Sequence, residues 1–280
     1  MRLHINHRTI YEYEEPVVLL PHIIRLTPRQ DSYQTVQNFS LDITPQPKFL
    51  SQAFDELGNI VYTCRWFEMK VRELAIHAES IVETHCTNPY HYYLDPWAIS
   101  LPMDNPHFQI HSLRPYLEPL MPLCSTVVEL AEDLAEASQY QVVKFLSQLN
   151  RTINESCTYI QRLEGPARPA GLTWRNREGS CRDFAQLFVG VCQSVGLAAR
   201  FVSGYERGAP EEEQTLHAWA EVYLPGAGWR GYDPTLGIAT CDRHVSVTAH
   251  WLPALTLPIG GSHQGKTKSQ MKSQVLIETD

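Results

Sequence analysis

Nowhere does the chain carry the roughly 18 consecutive apolar residues needed to cross a bilayer. The longest candidate, Pro16 to Leu26, is interrupted by Pro21, His22 and Arg25. The sequence therefore predicts no membrane partner. The opening MRLHINHRTIYEYEEP lacks a continuous apolar h-region and a small-residue cleavage site, so it does not read as a secretory leader. A basic stripe is missing too. With 23 Lys and Arg against 31 Asp and Glu, net charge −8, there is no concentrated cationic surface for phosphates. Nucleic acid is excluded as an expected partner on that ground.

Cysteine is present but unpaired in pattern. The seven (Cys64, Cys86, Cys124, Cys157, Cys181, Cys192, Cys241) are odd in number, scattered and free of any C-x-x-C. That argues against a disulfide framework and against a structural zinc site, which wants closely spaced ligands. It points to a reducing, cytoplasmic setting. His4/His7 and His85/Cys86 come nearest to ligand pairs and read as ordinary strand residues. Glu211-Glu212-Glu213 is a solvated charge run without the alternating oxygen ligands of a calcium loop. No metal and no cofactor are expected, and no internal repeat is visible.

What remains is the composition of a globular protein, 43% hydrophobic and 19% charged over 280 residues. That suits one large domain or two smaller ones. Residues 1–95 read as strands. RLHINHRTIYEYEE alternates, with Leu3, Ile5, His7, Thr9, Tyr11 and Tyr13 on one side, the period of a half-buried strand. VVLLPHIIRL, TVQNFSLDI, NIVYTCRWFEM and ELAIHAESIVET follow, separated by turn formers. This predicts an antiparallel, sandwich-like β-domain. Residues 96–124 form a Pro-rich linker in which Pro96, Pro102, Pro106, Pro115, Pro119 and Pro122 disfavour any long helix.

A core of residues 125–280 comes next. Thr126-Val-Val-Glu129 has the spacing of a capping box. Val142, Phe145, Leu146, Leu149 and Ile153 lie at helical spacing. A third helix, about Ser180 to Val195, carries Phe184, Leu187, Phe188, Val191 and Cys192 on one stripe, with Gly196 at its C-terminal cap. Strand patterns then follow in LAARFVSGY, LHAWAEVYLP and GWRGYDPT. The tail from Gly260 to Ser273 is polar and reads as mobile, with SQVLIE a possible last strand. The fold class is α+β: the β-domain plus a helix packed on an antiparallel sheet.

Two cysteines share that third helix, and position separates them. Cys181 lies in the first turn, where free N–H groups and the positive dipole end stabilise a thiolate and supply oxyanion donors. Gly179-Ser180 in front permits close approach. Cys192 is mid-helix among apolar neighbours, where a thiol is inert. A nucleophile needs a base, and the base an orienting group. His217, Trp219, Glu221 and Tyr223 share one face of their strand, and Asp233 ends the next. If the connecting loop is the four residues Pro225-Gly226-Ala227-Gly228, Asp233 falls opposite Ala220, on the wrong face. If the loop is five residues, Trp219 faces Asp233, and His217 is its diagonal neighbour. An Asp before Pro is also an ordinary turn former, and a strand His an ordinary core residue. The order Cys, His, Asp on a helix start and two hairpin strands is that of papain-like catalysis.

These residues resemble a known family. Gly179-Ser-Cys181-Arg-Asp183-Phe-Ala185, Gly196-Leu-Ala-Ala-Arg200-Phe-Val-Ser-Gly204-Tyr205, His217-Ala-Trp219-Ala-Glu221-Val-Tyr223 and Gly228-Trp229 to Asp233-Pro234-Thr235 look like the bacterial transglutaminase-like superfamily. LHINHRTIYEYEEPV and Phe54-Asp-Glu-Leu-Gly-Asn59 resemble the N-terminal β-domain that accompanies this core. The resemblance implies a thiol enzyme acting on amide bonds of a peptide or protein. Cys181 would attack, His217 would carry the proton and Asp233 would orient His217. The acyl group would pass to water, as in a cysteine protease, or to an amine, as in a transglutaminase. A second oxyanion donor is implied, with Trp174 as candidate. The β-domain is a place for homo-oligomerisation. A non-catalytic binding module of the same fold is the competing class.

Overall fold

Alternation of buried and exposed side chains sets the architecture of the N-terminal half. The computed structural model describes residues 1–103, 107–119, 122–162, 165–208 and 214–280. Its six first strands are β1 (Arg2–Leu19), β2 (His22–Ile24), β3 (Gln34–Thr44), β4 (Phe49–Phe54), β5 (Ile60–Arg65) and β6 (Lys70–Thr84). On β1, Leu3, Ile5, His7, Thr9 and Tyr13 are buried, as the period of two requires. β1, β3 and β6 lie in one antiparallel sheet, β2, β4 and β5 in a second. Tyr13, Val17, Ile24, Trp66, Leu74 and Ile76 form the apolar core of this half. Two histidines from the pairs read as ordinary strand residues have hydroxyl partners: His7 hydrogen-bonds the Tyr205 hydroxyl (2.9 Å) and His85 the Thr35 hydroxyl (2.8 Å).

The Pro-rich segment holds a helix, contrary to the linker reading. α1 (His107–Leu117) contains Pro115. Pro115 lies in the last turn, where the missing N–H and the ring both fall on the carbonyl of His111, and the helix ends two residues later. Tyr116 is buried beneath Trp229, ring centroids 4.9 Å apart. The Gln193 side-chain amide donates to its carbonyl (3.0 Å). Pro106 lies outside the described residues.

The second half is built on α2 (Ser125–Ala137), α3 (Val142–Ser156), β7 (Thr158–Tyr159), α4 (Ala170–Asn176), β8 (Glu178–Gly179) and α5 (Cys181–Ser194). It continues through β9 (Ala199–Glu206), β10 (Leu216–Leu224), β11 (Gly228–Asp233), β12 (Ile238–Ala239) and β13 (His244–His250). β12-β11-β10-β9-β13 make one antiparallel sheet. The apolar stripe of α5 (Phe184, Leu187, Phe188, Val191) is buried with Ala220, Val222 and Tyr232 of that sheet. The α+β class holds. The capping box expected at Thr126 does not form. The N-cap lies two residues earlier, at Cys124, and the Thr126 hydroxyl lies 3.1 Å from its Sγ. No helix among the described residues is long and apolar enough to cross a membrane.

SQVLIE closes the last strand, as expected, but the stretch from Gly260 to Ser273 read as mobile also forms strands. β14 (Ile259–Gly260), β15 (His263–Gln264) and β16 (Ser269–Thr279) return to the N-terminal half. β16 pairs with β1 from Leu3↔Thr279 to Tyr13↔Ser269. Val275 and Ile277 are buried with Leu3, Ile5 and Val82, so two inward side chains on an otherwise polar strand are enough to dock it. The two halves also meet at β13, an edge strand with open backbone groups. The buried Gln34 amide donates to Ser246 O (2.8 Å) and accepts from Ser246 N (2.8 Å). The buried Asn59 does the same for Ala249, at 3.1 and 3.0 Å. Two side-chain amides thus stand in for a missing neighbour strand and fix the element that begins with His244.

Candidate active site

The start of α5 is held by a buried carboxylate. Ser180 is the N-cap in extended conformation, and Asp183, three residues on, turns back to it. Asp183 is fully buried and accepts from Ser180 N (2.8 Å), Ser180 Oγ (3.0 Å), Arg168 N (2.7 Å) and the Arg162 guanidinium (2.6 Å to each oxygen). Burial works against its charge. Arg162 and these N–H groups outweigh burial, and the carboxyl sits below its usual range. A Cβ at Gly179 would lie 2.7 Å from that of Asp183, so glycine is required for this closure. The β7–β8 pairing, Tyr159↔Gly179, fixes the approach from the other side.

Asp183→Asn should lower stability by about 3 kcal/mol, the scale of breaking a buried ion pair. An amide flipped either way sets an NH2 against existing donors. Urea unfolding of the two chains measures this; an unchanged midpoint would show that the network contributes nothing.

Cys181 opens α5 and is largely buried, packed with Ala185, Phe201 and Ala218, with Ala167 beside them. β10 and β11 pair as Tyr223↔Trp229, Glu221↔Gly231 and Ala220↔Tyr232. This is the register of the five-residue loop, and continuing it sets Trp219 against Asp233. His217 and Asp233 meet: Nε2 donates to Oδ2 at 2.7 Å. Asp233 is fully buried, and its Oδ1 accepts from Thr235 N (2.9 Å). The asparagine-like turn role and the His-binding role are thus divided between its two oxygens.

His217 faces both partners. Burial opposes its positive charge, but Asp233, and after it Cys181, raise it well above the ordinary histidine range. Burial likewise opposes the charge of Asp233, and His217 and then His244 hold the carboxyl well below its usual range. With Nε2 committed to Asp233, Nδ1 is the ring nitrogen left for the thiol. Cys192, by contrast, is fully buried, and burial pushes its thiol well above the usual value.

Sequence reasoning missed His244. Its Nε2 donates to the same Oδ2 of Asp233 (3.1 Å), and its ring is buried against Trp219 at 5.3 Å. It comes from β13, which lies across β9 from the hairpin, so no local spacing could announce it. Trp219 lies between the two histidines, 6.3 Å from His217. It needs Gly204 beneath it: a Cβ there would sit 2.5 Å from the indole. Trp174 lies on α4 against the helical core, under the Arg177 guanidinium at 3.2 Å. Its ring contact is with Arg177 and its packing with the helical core, and among the described residues neither brings it to Cys181. Glu211, Glu212 and Glu213 lie outside the described residues.

This arrangement can withdraw a proton from a thiol at a helix N-terminus and keep the imidazole in one orientation while doing so. Two family models match the sequence. The bacterial transglutaminase-like N-terminal region covers residues 3–83, and the transglutaminase-like superfamily covers residues 128–234. An uncharacterized protein of Mycobacterium leprae is 26% identical over 287 residues, 99% of this chain and 98% of its own. A protein-glutamine gamma-glutamyltransferase of Pseudomonas aeruginosa is 30% identical over 122 residues, 39% of this chain and 18% of that protein. A solved structure of a proposed cysteine protease from Cytophaga hutchinsonii matches 100% of this chain and 92% of its own, with TM-score 0.73 and 19% identity. At that identity the likeness is one of fold.

Proposed function

Because the chain belongs to the transglutaminase-like superfamily, we propose that it is a thiol-dependent amide-bond hydrolase working through an acyl-enzyme on Cys181. The observation that carries this reading is one histidine, His217, whose Nε2 lies 2.7 Å from the buried Asp233 and whose charged form both Asp233 and Cys181 favour. Cys181 Sγ attacks the carbonyl carbon of a peptide or protein substrate, and its proton goes to His217 Nδ1. The first-turn N–H groups of α5 receive the oxyanion. Collapse breaks the C–N bond, and His217 returns the proton to the departing amine. Water, deprotonated by the same imidazole, then splits the thioester. Asp233 stays ionised throughout and keeps the ring in one tautomer. The seven unpaired thiols suit a reducing compartment, and we place the protein in the cytoplasm.

A second reading is acyl transfer to an amine, favoured by the partial likeness to the gamma-glutamyltransferase. The two diverge only at the thioester. Glutamine-containing peptides incubated with and without a primary amine, followed by mass spectrometry, separate them. The hydrolase reading expects cleaved or deamidated products with or without the amine. Amine adducts formed to the exclusion of hydrolysis would replace it by the transferase.

A further inference from the structure

Cys86 and Cys241 come from different halves of the molecule, one just after β6 and the other just before β13, yet their Sγ atoms are 3.5 Å apart. The Cys241 thiol also donates to the Cys86 carbonyl at 2.8 Å. Both are half-buried, and both line a cavity of about 70 Å³ together with Trp219, Tyr232 and His244. A disulfide requires sulfurs about 2.05 Å apart. Thiols already in contact reach that separation by small side-chain rotations.

Cys241 is wired to the candidate active site through its backbone. Its N–H donates to His244 Nδ1 (3.4 Å), its carbonyl accepts from His244 N (2.9 Å), and His244 Nε2 holds Asp233. A bond that draws Cys241 toward Cys86 pulls on that turn. We infer that Cys86 and Cys241 are a redox-responsive pair, closed to a disulfide by a hydroperoxide and opened by a dithiol, and that closure slows Cys181 by shifting His244 against Asp233. The second half of this inference rests on the relay read above.

The chemistry balances with hydrogen peroxide as oxidant. Cys241 Sγ attacks one peroxide oxygen, the O–O bond breaks, and water leaves with the thiol proton, giving a sulfenic acid. Cys86 Sγ then attacks that sulfur. The S–S bond forms, the S–O bond breaks, and a second water leaves. The two thiols give up two electrons, and the peroxide takes them. Burial, and next the contact with Cys241, push the Cys86 thiol up to about 12, which fits Cys86 as the later partner. A transient, sensing disulfide is the kind a reducing compartment tolerates.

Two measurements test the inference. Cys181→Ala chain is titrated with hydrogen peroxide, its thiols are counted, and a non-reduced digest is mapped by mass spectrometry. Two thiols should disappear together, with one peptide joining Cys86 to Cys241. Dithiothreitol should release it, and Cys86→Ser should abolish it. Thiols lost without that peptide would overturn the pair. Second, iodoacetamide labelling of Cys181 is timed in wild-type molecules with and without the link. Labelling should slow about tenfold, within the effect of an ångström-scale misplacement, and the Cys86→Ser chain should show no such change. A linked chain labelling at the unlinked rate would overturn the coupling to Cys181. If Cys181 labels no faster than Cys192 in the reduced chain, the relay reading itself fails, and the linked peptide still decides the pair.

Discussion

Replacing Cys181 by Ala should reduce amide-bond turnover to background, a loss on the order of 10⁴-fold or more, because the group that forms the acyl-enzyme is gone. The urea midpoint should barely move. Cys181 sits at the first position of α5, and a small residue there leaves Ser180 and Asp183 in place. Cys192→Ala is the matched control on the same helix. That thiol is fully buried among Phe188, Val191 and Leu197, so its loss should cost about 1 kcal/mol of stability and leave turnover intact. Iodoacetamide at about pH 6 gives a substrate-free check, since Cys181 opens a helix whereas burial suppresses the thiolate at Cys192. Equal, slow labelling of both cysteines would remove the catalytic role of Cys181, as would full turnover in Cys181→Ala.

The asymmetry between those cysteines was legible because helical periodicity and helix ends are local properties. Cys181 precedes the apolar stripe and Cys192 lies inside it, whatever the rest of the chain does. The hairpin was half legible. The strand pattern set His217 and Asp233 on neighbouring strands, but the register hung on whether Leu224 faces Trp229 or belongs with the loop; Leu224 in fact pairs with Gly228. Tyr223↔Trp229 resolves that in favour of a shared face. His244 was out of reach because it arrives from β13, on the far side of β9. Asp183 stood only inside a quoted motif, and its partners Arg162 and Arg168 stand on a stretch without periodicity. The same holds for Gln34 and Asn59, polar residues in a β-domain whose meaning lies in the β13 edge they satisfy. β16 was half legible for a related reason: SQVLIE read as a strand, but only Val275 and Ile277 of the eleven residues are buried, too weak a pattern to extend it back to Ser269 beside Tyr13.

Asp233→Asn tests the relay from its buried end. The amide can accept from His217 or His244 through its single oxygen and carries no charge, so the preferred imidazole tautomer and the support for its protonated form are both lost. Turnover should fall on the order of 10⁴-fold, the scale reported by such a replacement in a serine-protease triad. Stability should fall by about 3 kcal/mol, since the partly buried His217 and the buried His244 lose their anion. The pH dependence of that stability difference distinguishes this account from simple misfit. Asp233 is held below its unfolded value of about 3.9, so its contribution is present above that pH and is lost as pH falls through the folded value. His217 is held above its unfolded value of about 6.5, so its contribution is full below that pH and is lost as pH rises through the folded value. Both act together between about pH 4 and 6.5. The gap between wild type and Asp233→Asn should therefore be widest there and narrow on either side. Urea midpoints across a pH series measure it, and a gap independent of pH would mean that Asp233 fills space between two neutral rings and does not stabilise an imidazolium.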